Sequence, residues 1–312
     1  MWRWVRWLAP LVILIVLAFA FRDQMPFIGD GVRRLRDASP WAVGLAVVTA
    51  VASIVAMAEV MRLLLDAGGT RIPFRDTTAV TLASNSWSTS LPGGPAFSAV
   101  LTYQVQRSWG ASRVLCGWFL ILSSAVSTMW LVLIGVAGVF FLGANVNVWS
   151  LLVTLAAMTA LAGIVYWASN NPDTLDRWTR GRFTGTIRQL DSVRLSPAQF
   201  TVVSGWSLLN RALDLVTLYL CVWAVGDEAP AVAGVLLAYT TAKIAGSAQV
   251  TPGGLGTVEA AIIATLVAAG MTAVDATGAA LIYRLVSFAL ITAVGWVVYF
   301  LVYARRGLVW RT

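Results

Sequence analysis

Long apolar runs alternate with short polar stretches along the chain, near positions 5–21, 41–65, 114–142, 149–168, 198–225 and 276–304. A helix needs roughly 20 mostly apolar residues to cross a bilayer, so these runs predict six full membrane spans. Two further stretches, 74–108 and 231–270, are only moderately apolar, and each is broken by Pro-Gly-Gly. The breaks read Ser90-Leu91-Pro92-Gly93-Gly94-Pro95 and Val250-Thr251-Pro252-Gly253-Gly254-Leu255-Gly256. Proline removes a backbone donor and pushes the preceding residue out of the helical region, and the glycines after it allow a tight reversal. At membrane depth such a break is tolerated only where protein or a water-filled cavity surrounds it. Each stretch therefore predicts a re-entrant hairpin, one short helix in and one back. The alternative is two thin full spans with the break at loop level.

Residues 41–142 then run span, hairpin, span, and residues 198–304 repeat that order from the opposite membrane face. The predicted fold is an all-α polytopic membrane protein of about six full spans and two re-entrant hairpins, arranged as an inverted-topology repeat. It forms one transmembrane domain. Residues 1–40 hold the first span and an external linker, and 143–197 a connecting span and a basic loop. Residues 305–312 form the tail. Inverted repeats with interrupted helices are a transporter architecture, with the substrate site where the repeats meet. Two turns that arose independently as packing devices are the structural alternative.

Composition and charge sharpen this picture. Hydrophobic residues make up 59% of the 312 and charged ones 12%, about half the charged share of a soluble domain. The net charge of +8 reads as topology, not nucleic-acid binding. With a cytoplasmic N-terminus, 15 of the 22 basic residues fall inside, while Arg22, Arg33, Arg34 and Arg36 fall outside. Full spans in the broken stretches would leave most of this unchanged. The expected location is a bacterial cytoplasmic membrane with both termini and the 169–197 loop in the cytoplasm. The basic, Trp-rich start before Phe21 resembles a signal peptide, but no small-residue cleavage motif precedes Arg22. A retained first span is expected. Cys116 and Cys221 lie in apolar runs and read as buried thiols. The chain has no histidine and no GxxxxGK[ST] loop, which excludes His-based catalysis and a P-loop for ATP. No cofactor is expected.

Ionisable groups inside apolar segments are costly, about 2.5–3.5 kcal/mol each at a helix centre, so each needs a partner or a function. Arg211 and Asp214 are three apart and share a helix face, which suggests an internal ion pair. Glu59 and Arg62 have the same spacing and read as structural. Glu259 falls in the first turn after the second break, where a carboxylate suits the positive end of the helix. Arg284 lies inside the last span, and Glu259 is its natural partner. Lys243 has no nearby acid in sequence. A lipid phosphate fits such a cluster, because Arg forks onto phosphate oxygens and Lys adds a point charge. A fully paired structural network is the competing explanation. The hydroxyl-rich limb Ser84–Ser90 could line a groove, though hydroxyls also pack helices closely in membranes.

The segment Thr251-Pro252-Gly253-Gly254-Leu255-Gly256-Thr257-Val258-Glu259, followed by an Ala-rich helix and Tyr283-Arg284, resembles the lysylphosphatidylglycerol synthase transmembrane-region family. These flippase-like integral membrane proteins include the membrane part of a bifunctional enzyme that makes aminoacylated phosphatidylglycerol and moves it outward. The resemblance is strongest in the last 70 residues. It implies that Pro252, Gly253, Gly254, Gly256, Glu259 and Arg284 are the motif positions. The first hairpin departs from the pattern: many members carry Gly-Glu there, whereas Pro95-Ala96-Phe97-Ser98 supplies no acid, although Arg107 follows.

The function expected is transport of an anionic phospholipid or lipid-linked glycan, with no enzymatic step. Lys243, Arg211, Asp214 and the motif residues would bind the substrate, and Glu259 and Asp214 are candidate proton carriers. The alternatives are an intramembrane enzyme acting on a lipid head group, and a non-transporting partner of a separate synthase.

Overall fold

The computed structural model describes residues 38–141, 195–226, 231–247 and 251–304, with isolated positions 35, 36, 156, 160 and 163. The span expected at 5–21, all but three positions of that at 149–168, most of the basic loop and the tail lie outside these residues. The elements are α1 (Pro40–Ala67), α2 (Phe74–Ser90), α3 (Gly94–Ser108), α4 (Arg113–Phe141), α5 (Pro197–Val225), α6 (Val232–Ser247), a short 3₁₀ turn (Pro252–Gly254), α7 (Thr257–Ala268) and α8 (Ala273–Tyr303). Every described element is helical.

Four of these helices, α1, α4, α5 and α8, are long and apolar enough to cross a membrane. Their ends are set by local chemistry. Pro40 opens α1, where a missing N–H costs nothing. Ser196 and Gln199 exchange side-chain and backbone hydrogen bonds of 2.9 and 3.1 Å at the start of α5, a capping box. Apolar side chains such as Val48, Ile121, Ile244 and Leu301 point outward and are exposed, as expected of a surface that meets lipid. The last helix is not uniform. It widens into π-helical turns at Leu285–Leu290, directly after Arg284, and at Tyr299–Tyr303. Such turns concentrate at functional sites, and the hydropathy pattern does not report them.

Both Pro-Gly-Gly segments break their helices with the same turn, after which the first helix resumes at Gly94 and the second, past further positive-φ glycines at Gly254 and Gly256, at Thr257. Gly93 (φ 66°, ψ 24°) and Gly253 (φ 61°, ψ 14°) are left-handed. The Gly94 N–H donates to Leu91 O and the Gly254 N–H to Thr251 O, each at 2.9 Å. Proline second and a left-handed glycine third is the requirement of a type II turn. The likeness continues at a constant spacing of 160 positions. Gly110 and Gly270 also have positive φ. Ala111 N donates to Gln106 O at 3.1 Å, and Met271 N to Leu266 O at 3.0 Å. Ser112 caps Leu115 N, and Thr272 caps Asp275 N.

The helices pack in a reciprocal pattern. α1 and α5 run antiparallel, since Ser39 bonds Ala224, Thr49 meets Thr217 and Ser53 meets Asn210. The small residues Ala42, Ala46 and Ala50 line the α1 side of that contact and let the backbones approach. α2 packs on α8, and α6 packs on α4. Gly295 on α8 admits α2: a Cβ there would lie 2.0 Å from Ser86 Oγ and 2.2 Å from Leu82 O. Gly135, 160 positions earlier on α4, admits α6, where a Cβ would lie 2.8 Å from Thr240 Cγ2. Two apolar cores result, and α1 and α8 contribute to both: Ala46 and Ala279 belong to one, Leu64 and Trp296 to the other.

Candidate functional site

The two breaks come together in space. A Cβ on Gly253 would lie 2.7 Å from Thr89 O, at the end of α2, and 2.3 Å from the Phe288 ring on α8. Only glycine can hold this position, on grounds of both conformation and space.

Arg284 clamps the second turn. Its Nε donates to Glu259 Oε1 at 2.6 Å and its Nη2 to Gly253 O at 2.9 Å. The guanidinium lies 4.2 Å from the centre of the Phe288 ring, within cation–π range. Glu259 Oε2 accepts from Gly256 N at 2.7 Å. The carboxylate therefore caps its own helix with one oxygen and neutralises Arg284 with the other. Arg284 is 5% exposed and Glu259 9%, so neither charge is left to water. The pairing expected from sequence is present, and Gly253 supplies a third member of the cluster.

A second charged cluster sits beside it, and here the expected pairing is corrected. Asp214 does not pair with Arg211. It takes the Lys243 ammonium at 2.5 Å and accepts from Tyr283 Oη at 2.9 Å and Tyr239 Oη at 3.3 Å. Sequence spacing placed Arg211 and Asp214 on one helix face, but α6 and α8 bring Lys243 and two phenols to the carboxylate. The acid that Lys243 lacks in its own segment is supplied across the fold. Arg211 makes no hydrogen bond or ion pair among the described residues, and its Nε is buried without a partner.

Both clusters face a cavity of about 650 Å³ that Arg211, Asp214, Lys243, Gly253 and Arg284 help to line. Glu259, Pro252, Gly254 and Gly256 do not reach it. They shape the turn and hold Arg284 from behind. The lining contributed by the first half of the chain is neutral and includes Asn85, Ser88, Ser98, Ser124 and Ser127. Other hydroxyls of the Ser84–Ser90 limb pack: Ser86 donates to Thr292 O at 2.9 Å, and Ser90 accepts from Trp296 Nε1 at 3.0 Å. Glu59 and Arg62 form a bidentate pair away from the cavity. Arg107 donates to Ala111 O in the turn after α3, a local capping role. Sequence reasoning did not assign Tyr239 or Phe288 to the site. Tyr239 precedes Lys243 by one helical turn, a spacing that could have flagged it.

The model of the lysylphosphatidylglycerol synthase TM region matches residues 6–295, nearly the whole chain. The chain belongs to this family. Together with the four long apolar helices, membership makes it a multi-pass membrane protein related to lipid modification or transport. No curated protein matches the chain. The family motif residues expected from the sequence thus include the turn, its carboxylate and its arginine, here assembled into one hydrogen-bonded unit.

Proposed function

We propose that this family member is a flippase-like transporter of an anionic phospholipid or lipid-linked glycan, and that it catalyses no reaction. The observation that carries the reading is the cavity at the meeting of the two broken hairpins, lined by cations from the second half of the chain and by neutral hydroxyls from the first. Substrate sites of interrupted-helix transporters lie where the repeats meet. Several features support an inverted repeat. The turns recur at one constant spacing, the equivalent helices α1 and α5 run antiparallel, and each hairpin packs on the last helix of the other half. The limbs support re-entrance. α2 has 17 residues and α7 has 12, which gives about 25 and 18 Å of helix against about 30 Å of hydrocarbon.

The carboxylates favour transport over chemistry. Asp214 and Glu259 are each held by a cation, so neither is a free general base. Lipid would move down its gradient or with a coupled ion. The test is reconstitution of the purified chain in liposomes with a labelled anionic lipid. Transfer between leaflets faster than in protein-free vesicles supports the reading. Transfer at the protein-free rate with every anionic lipid and lipid-linked sugar overturns it.

A further inference from the structure

The cavity wall carries more positive than negative charge, and the excess resides in one residue. Lys243 is matched by Asp214 at 2.5 Å, and Arg284 by Glu259 at 2.6 Å. Arg211 makes no hydrogen bond or ion pair among the described residues, and only shares at longer range the Asp214 charge that Lys243 contacts directly. It lies midway along the 29-residue α5, its Nε is buried without a partner, and it lines the cavity. An unpaired guanidinium at such depth is costly, and this one leaves the nearby carboxylate of Asp214 to Lys243. It is placed to receive an anion that the described residues do not supply.

We infer that the substrate head group is a phosphodiester monoanion bearing an uncharged hydroxylated group, and that Arg211 takes the phosphodiester; this rests on the proposed transport reading. One uncompensated cation calls for one negative charge. A phosphomonoester or diphosphate would bring charge that the wall does not balance. An aminoacylated head group would bring an ammonium, and Asp214, the one carboxylate among the described residues that lines the cavity, is already held by Lys243. The neutral wall completes the match. Asn85, Ser88, Ser98, Ser124 and Ser127 line the cavity, and their side chains make no hydrogen bond within the described molecule. Such groups suit glycerol or sugar hydroxyls. At the spacing of 160 positions, Ser124 stands where the second half has Arg284. The asymmetry between the walls thus follows the two halves of the repeat. The volume falls in the range of small-ligand pockets, about 300–1,000 Å³.

The test is equilibrium binding to the full chain in detergent. The probes are dihexanoyl-phosphatidylglycerol, its lysyl ester, dihexanoyl-phosphatidic acid and a citronellyl phosphoryl hexose. The glycerol or hexose probe should bind at least about tenfold more tightly than the lysyl ester and the phosphatidic acid. Whichever of the two binds better identifies a glycerolipid or an isoprenoid anchor. Arg211→Gln should weaken binding by about tenfold or more, yet melt no lower than the wild type, because a half-buried guanidinium with no direct partner has been removed. Arg211→Lys, which keeps the charge but loses the fork, should bind with intermediate affinity. Unchanged binding by Arg211→Gln, tighter binding of the lysyl ester or phosphatidic acid, or binding of neither neutral-headed probe overturns the inference. So does a fall in melting temperature that accompanies the loss of binding, because that marks a structural role. Selective binding without lipid transfer in liposomes would sink the transport reading alone. Transfer with unselective binding would sink the head-group inference alone.

Discussion

Arg284 reaches Glu259 across 25 positions of sequence, with Nε 2.6 Å from Oε1. The bond fixes the last long helix to the turn of the second hairpin. Both side chains are buried, so removing one partner leaves the other charge uncompensated, at a cost of about 3–5 kcal/mol. Arg284→Ala is expected to lower the melting temperature of the purified protein clearly. Arg284→Lys keeps the charge but cannot hold Glu259 and Gly253 O in one planar fork; it should retain more stability and still impair lipid transfer. Wild-type melting and transfer by Arg284→Ala would contradict this assignment.

Asp214 and Lys243 should behave as a coupled pair. Asp214→Asn and Lys243→Met each strand a charge, whereas the double variant strands none. Because Lys243 is 30% exposed in its side chain, solvent screening reduces the coupling, to about 1–2 kcal/mol. A double-mutant cycle of unfolding measures it. Additive effects would mean that the short contact contributes nothing to stability.

The glycines at the hairpin contacts should differ in tolerance. Gly295→Ala forces a methyl against the Leu82 carbonyl, whereas Gly135→Ala meets only the end of the Thr240 side chain. Overpacking of this kind costs about 1–3 kcal/mol. The Gly295 variant should sit at the upper end and the Gly135 variant near or below the lower. The order of their melting temperatures checks this, and a reversed order would contradict the packing described.

Much of the fold was legible because hydrophobic length and Pro-Gly-Gly breaks are local features. The four described long helices and both interruptions fall where the apolar runs and prolines put them. The pairing of Arg284 with Glu259 was legible for another reason: few charges occupy apolar segments, and each needs a neighbour. The Arg211–Asp214 expectation failed because spacing on one helix says nothing about what other helices deliver to it. Asp214 faces α6 and α8, where Lys243, Tyr239 and Tyr283 outcompete the nearer arginine. The π turn after Arg284 left no trace in hydropathy, since it changes hydrogen-bond register and not residue type.

Membrane sidedness follows from the proposed inversion. In a background with both native cysteines replaced (Cys116 and Cys221 are buried), cysteines at Thr70 and Gly110 should react with an impermeant thiol reagent only from the cytoplasmic side. Cysteines at Gly226 and Met271 should react only from outside. Labelling of all four from one side of intact cells would refute the inverted arrangement.

On the proposed reading, lipid head groups pass through the cavity where the two broken hairpins meet. Ser88 and Ser124 line that cavity and make no side-chain hydrogen bond within the described molecule, so bulk can be added there at little cost to folding. The most direct measurement is leaflet-to-leaflet lipid transfer in liposomes by the wild type and by Ser88→Trp and Ser124→Trp, each confirmed to melt near the wild-type temperature. The expected result is rapid transfer by the wild type and transfer near the protein-free rate by both filled variants. Equal transfer by all three proteins would contradict the claim.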